Sequence, residues 1–231
     1  MKIVAVSDIH GYVEKLREVL VKENDATMIV FCGDIAPYRR HPETLNFLNK
    51  LSLVVNHFNI EYIIAVPGNV DCIEHYERIV EPRFVYLHGK CRRVKDVLFI
   101  GLGGSTKTPF NTILEYSEDE IHNILQSIYM NCVVQNKNIS KDELYILVTH
   151  VPPYNSACDR IPSGDNIGSK SIRRFIEHTK PALALCGHVH ESRCIDQVGT
   201  TIIVNPGPLA KGFYSTIYVD KGRIEANLGR L

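Results

Sequence analysis

The chain has 231 residues, 45% apolar and 23% charged, which suits one well-buried core and excludes disordered and fibrous classes. Lysine plus arginine equals aspartate plus glutamate at 26 each, so no strong overall field draws in nucleic acid or an anionic membrane. We expect a single α/β domain over residues 1–231.

Short β-branched runs alternate with amphipathic stretches of helical length, the pattern of crossover units feeding a largely parallel sheet. Lys2 to Ser7 reads as the first strand, with no signal-peptide layout ahead of it, and no apolar run reaches membrane-span length. We therefore expect a cytoplasmic protein with no membrane partner. A helix from about Tyr12 to Lys22 follows, with Val13, Leu16, Val19 and Leu20 on one face at three- and four-residue spacing. Thr27 to Cys32 is the second strand, and Pro42 suits the first turn of a helix reaching about Asn56. Tyr62 to Val66 is the third strand, broken by Pro67-Gly68. A short helix near Ile73 to Val80 precedes Phe84 to Gly101, which reads as a β meander of two or three strands.

Gly101 to Tyr116 is polar, glycine-rich and too long for an ordinary connection, so we expect an ordered loop with a task. Ser117 with Glu120 forms a capping-box pattern opening a long helix to about Asn136. Leu144 to Thr149, a helix from about Ser171 to His178, and Ala182 to Cys186 make a second crossover set. Four short strands follow (Arg193 to Gln197, Thr200 to Val204, Tyr214 to Val219, Arg223 to Asn227), and they suggest a second sheet facing the first. The seven cysteines include no Cys-x-x-Cys pair, and we read them as reduced, with Cys32 and Cys186 as small buried hydrophobes.

Chemistry-bearing residues follow the core strands: Asp8 and His10 the first, Gly33-Asp34 the second, Gly68-Asn69-Val70-Asp71 the third, His150 the fourth, Gly187-His188-Val189-His190 the fifth. Loops at the carboxyl ends of parallel strands line one crevice, so these residues converge. An economical division gives one divalent ion Asp8, His10, Asp34 and His190, and a second ion Asp34, Asn69, His150 and His188, with Asp34 as the bridge. Such a pair clamps both oxygens of an in-line displacement and makes hydroxide available near neutral pH, which suits phosphate ester hydrolysis. Imidazole and carboxylate ligands without thiolate suit manganese, our first expectation, and equally nickel, iron, cobalt or zinc.

This ordered set resembles the calcineurin-like metallophosphoesterase superfamily over nearly the whole chain, and Thr149-His150-Val151-Pro152-Pro153-Tyr154 and Asn205-Pro206-Gly207-Pro208 resemble its small, cap-free prokaryotic and archaeal members. The resemblance implies a four-layer α/β/β/α sandwich, with two facing mixed sheets flanked by helices. It also implies a dinuclear phosphoesterase with a small phosphoester substrate. One departure stands out. Many members carry histidine after Gly-Asn, where it stabilises the transition state or protonates the leaving group. Here that residue is Val70, and losing general-acid help costs on the order of 10² to 10⁴ in rate. Together with the missing cap, this favours diesters with a good leaving group over monoesters.

We expect catalytic roles for Asn69 and His150, and for Asp71 either the orientation of a metal-bound histidine or the capping of the helix after it. Gly164 to Ser171, with Ser169 and Ser171 at a helix start, could bind a substrate oxygen. Asn111, Tyr154 and Asn205 are further candidates for the pocket wall. The competing reading is a catalytically silent metal-binding scaffold on the same fold. A nuclease is disfavoured by the neutral charge balance, and a homo-oligomer is left open.

Overall fold

The computed structural model describes residues 1–135 and 144–231. In chain order, β1 (Lys2–Val6), α1 (Val13–Lys22), β2 (Met28–Phe31), α2 (Thr44–Val55), β3 (Tyr62–Ala65), α3 (Ile73–Glu77) and β4 (Phe84–Tyr86) form a parallel crossover run. Then come β5 (Lys90–Val94), β6 (Val97–Leu102), β7 (Ser105–Thr106), β8 (Glu115–Tyr116), α4 (Glu118–Tyr129), β9 (Tyr145–Thr149), α5 (Lys170–Thr179) and β10 (Leu183–Leu185). The chain closes with β11 (Cys194–Val198), β12 (Thr201–Asn205), β13 (Phe213–Asp220) and β14 (Arg223–Arg230).

Two six-stranded sheets result, ordered β14-β13-β1-β2-β3-β4 and β11-β12-β10-β9-β6-β5. Both are mixed, with a parallel centre and antiparallel pairs at their margins. Three apolar clusters define the layering. Along β1 the side chains alternate: Val4 and Val6 pack with Leu16, Leu20 and Leu48 of the helices, while Ile3 and Ala5 pack with Phe99, Ile146 and Leu185 of the other sheet. This period of two lets one strand serve two cores at once. Outside the second sheet, Ile121 and Leu125 of α4 and Ile172 and Ile176 of α5 cover Ile100 and Leu147. The expected four-layer α/β/β/α sandwich is therefore present.

Local signals hold in detail. Val13, Leu16, Val19 and Leu20 are the buried residues of α1, and both halves of the Ser117–Glu120 capping box form at α4. The expected end of that helix near Asn136 lies outside the described residues. Three expectations need correction. The segment Phe84 to Gly101 is not one meander. β4 lies parallel to β3, and the chain then crosses at Leu87–Gly89 to begin the other sheet as the β5–β6 hairpin. The tail does not build its own sheet: β11 and β12 extend the second, and β13 returns to pair with β1 in the first, with β14 beside it at the edge.

The cysteines are not all reduced. Cys91 on β5 bonds Cys132 after α4, and Cys158 bonds Cys194 at the start of β11, with Cα separations of 6.3 and 5.5 Å. Helix and strand packing brings each pair together over 41 and 36 residues, a proximity that no local spacing reveals. Cys32 and Cys186 are free and fully buried, as expected.

Candidate metal centre

Three of the five motifs leave the carboxyl ends of β1, β2 and β3, and two leave β9 and β10, so the centre is shared between the sheets. The backbone stitches the motifs together. Asp8 and His10 donate their amides to the carbonyls of Gly33 and Asp34 at 3.0 and 2.9 Å, and Gly187 donates to the carbonyl of His150 at 2.8 Å. The His188 amide reaches the Asp8 carboxylate at 3.1 Å, which joins one sheet's first loop to the other sheet's last.

Asp8, His10, Asp34 and His188 all have left-handed backbones, with φ between 45° and 68°. Aspartate and histidine tolerate this region better than bulky or branched residues, yet each still costs energy that the surroundings must hold in place. Two glycines leave the space. A Cβ at Gly68 would sit on the Asp34 carboxylate, and one at Gly187 would overlap the Ser7 hydroxyl beside Asp8.

All seven expected ligands meet here. Nε2 of His10 stands 3.3 Å from Nε2 of His190 and 3.7 Å from Asp34 Oδ2. His150 Nε2 lies 3.4 Å from Asp34 Oδ1, so the two oxygens of Asp34 face opposite halves of the cluster. Asn69 turns its Oδ1 to His150 Nε2 at 2.9 Å and to His188 Nδ1 at 3.1 Å. Ligand atoms of Asp8, His10 and His190 lie within 4.8 Å of one another, as do those of Asp8, Asp34 and His150. Asp8 thus borders both halves, where the sequence assigned it to one.

The donor set fits divalent cations. Asp8 is fully buried, and its Oδ1 has no aligned hydrogen-bond partner among the described residues, although His190 Nε2 stands 3.1 Å away in ionic contact. Carbonyls orient the rings: Cys32 O accepts from His150 Nδ1 at 2.7 Å and Ala36 O from His10 Nδ1 at 3.2 Å, so each ring turns its Nε2 inward. Burial opposes ionisation of Asp8 and Asp34, but the surrounding imidazoles prevail and hold both carboxyls below the usual range. Burial likewise opposes the His150 cation, yet Asp34 beside it pushes that ring up to about 9. Burial, reinforced by the neighbouring His150 charge, takes His188 down to about 4. Two buried anions that draw protons onto nearby rings form a place that recruits positive charge.

Some expectations fail here. Asp71 neither orients a histidine nor caps α3. Its fully buried carboxylate accepts from the amides of Ile35, Ala36 and Gly68 and from the Tyr76 hydroxyl, at 2.8 to 3.1 Å, bracing the loops that carry Asp34 and Asn69. With every donor coming from backbone or tyrosine, it touches no reacting atom. The start of α5 binds no substrate oxygen, because Glu118 of α4 already takes the amides of Lys170 and Ser171 and the Ser169 hydroxyl. Asn205 lies buried against the carbonyl of Val189, and the Tyr154 ring lies beneath Lys170, whereas Asn111 does line a cavity.

The sequence reading also missed Thr112 and Glu115, which contact Asn69 directly and at one remove; only the length of their loop hinted at a role. Two cavities lie nearby, the larger reaching the candidate ligands and the smaller reaching Val70. One of about 280 Å³ is lined by Tyr38, Arg39, Val70, Phe110 and Thr112. The other, of about 680 Å³, is lined by Phe110, Ile161, Ile167, His188 and His190.

Calcineurin-like phosphoesterases as a family match residues 1–192. The chain belongs to that family. It is 39% identical over 221 residues to the uncharacterized protein MJ1162 of Methanocaldococcus jannaschii, covering 94% of this chain and 92% of that one. It is 23% identical to the UPF0046 protein K07C11.7 of Caenorhabditis elegans, over 92% of this chain and 71% of that protein. TT1561 of Thermus thermophilus shares the fold at a TM-score of 0.73 and 21% identity, over 98% of this chain and 97% of its own. The resemblance read from the motifs is thereby borne out, and the protein is a metal-dependent phosphoesterase of this family. Among the described residues no helix is long and apolar enough to cross a membrane.

Proposed function

We propose that the protein hydrolyses small phosphodiesters at a centre of two divalent ions, with Asp8, His10, Asp34 and His190 around one and Asp34, Asn69, His150 and His188 around the other. The observation that carries this is the split of Asp34, with Oδ2 towards His10 and Oδ1 towards His150. When bound, such a pair would supply Lewis acidity and lower the pKa of a water for attack on a phosphate ester. The protein's share is geometric. Backbone carbonyls hold His10 and His150 with Nε2 inward, and Asp71 fastens the loops beneath Asp34 and Asn69.

The preference for diesters rests on Val70 and the two cavities. Val70 has no proton to give a leaving group, so an ester with a stable leaving oxygen suits the site best. The two cavities meet at Phe110, one on the Val70 side and one on the His188 and His190 side, leaving room for a substituent on each side of a phosphate. A scaffold that bound no metal would gain nothing from the left-handed conformations of Asp8, His10, Asp34 and His188, and turnover separates a silent metal-binding scaffold from an enzyme.

Protein stripped of metal should hydrolyse an activated aryl phosphodiester only after manganese or nickel is restored, and Asp34→Asn should return the rate to background. Turnover unaffected by a chelator, or retained in Asp34→Asn, would overturn this reading.

A further inference from the structure

The loop from Ser105 to Tyr116 approaches Asn69 with one hydroxyl. Asn69 Nδ2 donates to Thr112 Oγ1 at 2.9 Å, and Thr112 Oγ1 donates to Glu115 Oε1 at 2.5 Å. Glu115 also accepts from the Thr112 amide at 2.8 Å, the Thr108 hydroxyl at 2.6 Å and the Thr108 amide at 3.1 Å. Burial works against its charge, but these hydrogen bonds prevail and hold its carboxyl below the usual range.

The directions of these bonds follow from chemistry. An ionised carboxylate only accepts, so the Thr112 proton points at Glu115 and a Thr112 lone pair faces Asn69. A lone pair can be met only by the NH₂ of the amide. The two ends of an asparagine amide have nearly the same shape, so packing alone does not choose between them, and the partner does. With NH₂ committed to Thr112, the carbonyl oxygen is the end that faces His150 and His188. A reversed amide would present two N–H groups, which cannot ligate a cation and would repel it.

We propose that Thr112, polarised by Glu115, is a positioning residue that fixes the amide of Asn69 with its carbonyl oxygen towards the metal position. This rests on the two-metal reading of the site, since it assigns Asn69 a cation to face. The loop has a separate anchor: the Leu114 amide donates to the Asn69 carbonyl at 3.1 Å, and β7 pairs with β8. Removal of the hydroxyl therefore leaves the loop in place.

The test is manganese binding to the metal-stripped full chain, followed by calorimetry and by electron paramagnetic resonance of Mn²⁺. Thr112→Val keeps the shape and removes the hydroxyl, and it should weaken the Asn69-side ion about 10- to 100-fold, the usual cost of losing a partner that orients a ligand. Thr112→Ser should restore wild-type binding. Asn69→Asp supplies a carboxylate with two equivalent oxygens, so in that background Thr112→Val should change affinity less than about 3-fold, a non-additivity that general loosening of the loop would not produce. Equal weakening by Thr112→Val in both backgrounds, or wild-type affinity in the single variant, overturns the proposal and leaves the two-metal reading intact. Failure of the wild-type chain to bind a second ion overturns both.

Discussion

Helix α1 and the loop just before it lie side by side in sequence and are built in opposite ways. The helix buries Val13, Leu16, Val19 and Leu20 against the first sheet and leaves its other faces to water, in an unstrained right-handed backbone. The loop holds Asp8 and His10 in left-handed conformations around a fully buried carboxylate, one oxygen of which meets only the His190 ring in ionic contact among the described residues. Stability is concentrated in the helix and strain in the loop. The contrast recurs around the molecule, because Asp34 and His188 repeat the strained arrangement at other strand ends. A fold of this kind uses its packed layers to hold in place loops that would not adopt these shapes alone.

The helix side of that contrast can be broken most severely. Leu16 is fully buried among α1, α2 and the first sheet, so Leu16→Ala should cost about 2–5 kcal/mol of unfolding free energy, read by denaturant titration. Activity per folded molecule should not change, because Leu16 supplies no polar atom to the site. A loss of turnover without a loss of stability would contradict the separation of roles.

The next effect lies between the two regimes. The Cys158–Cys194 disulfide joins the turn after the His150 loop to the strand that follows His190. Replacing both cysteines with alanine should cost about 2–4 kcal/mol and also weaken manganese binding, whereas the same change at Cys91 and Cys132 should cost stability alone. Unfolding curves and metal titrations on the two double variants distinguish these outcomes.

The smallest effect concerns a partly buried ring whose charge state answers to the fold. His88 accepts from the Gly103 amide at 3.0 Å and stacks between Tyr86 and Tyr116. Burial, with a lesser contribution from Lys90, lowers its pKa to about 4 from the ordinary value of 6.5. The unfolded chain therefore binds the proton more readily, so His88 contributes stability that is complete above pH 6.5 and is lost as pH falls towards 4. Comparing melting temperatures of wild type and His88→Asn from about pH 7.5 to about pH 4.5 should show a shallower decline in the variant. Parallel curves would contradict this assignment.

The same contrast explains what could be read from the sequence. The α1 face and the capping box at Ser117 and Glu120 were legible because each is a local pattern with a local cause. The gathering of the candidate ligands was legible for a different reason: aspartate, asparagine and histidine recur directly after strands, and strand ends converge. Partnership between distant segments was not legible. Asp71 looks by position like a residue that orients a metal-bound histidine or caps a helix, but its four donors come from three separate stretches of chain. The disulfides, the return of β13 to β1 and the Thr112–Glu115 contact behind Asn69 likewise depend on packing across long sequence separations.

The central claim is that Asp34 stands between two cations. Anomalous diffraction from crystals of the protein equilibrated with manganese tests it directly. We expect two peaks about 3.5–4 Å apart, one on each side of the Asp34 carboxylate. A single peak, or two peaks that do not share Asp34, would contradict the account.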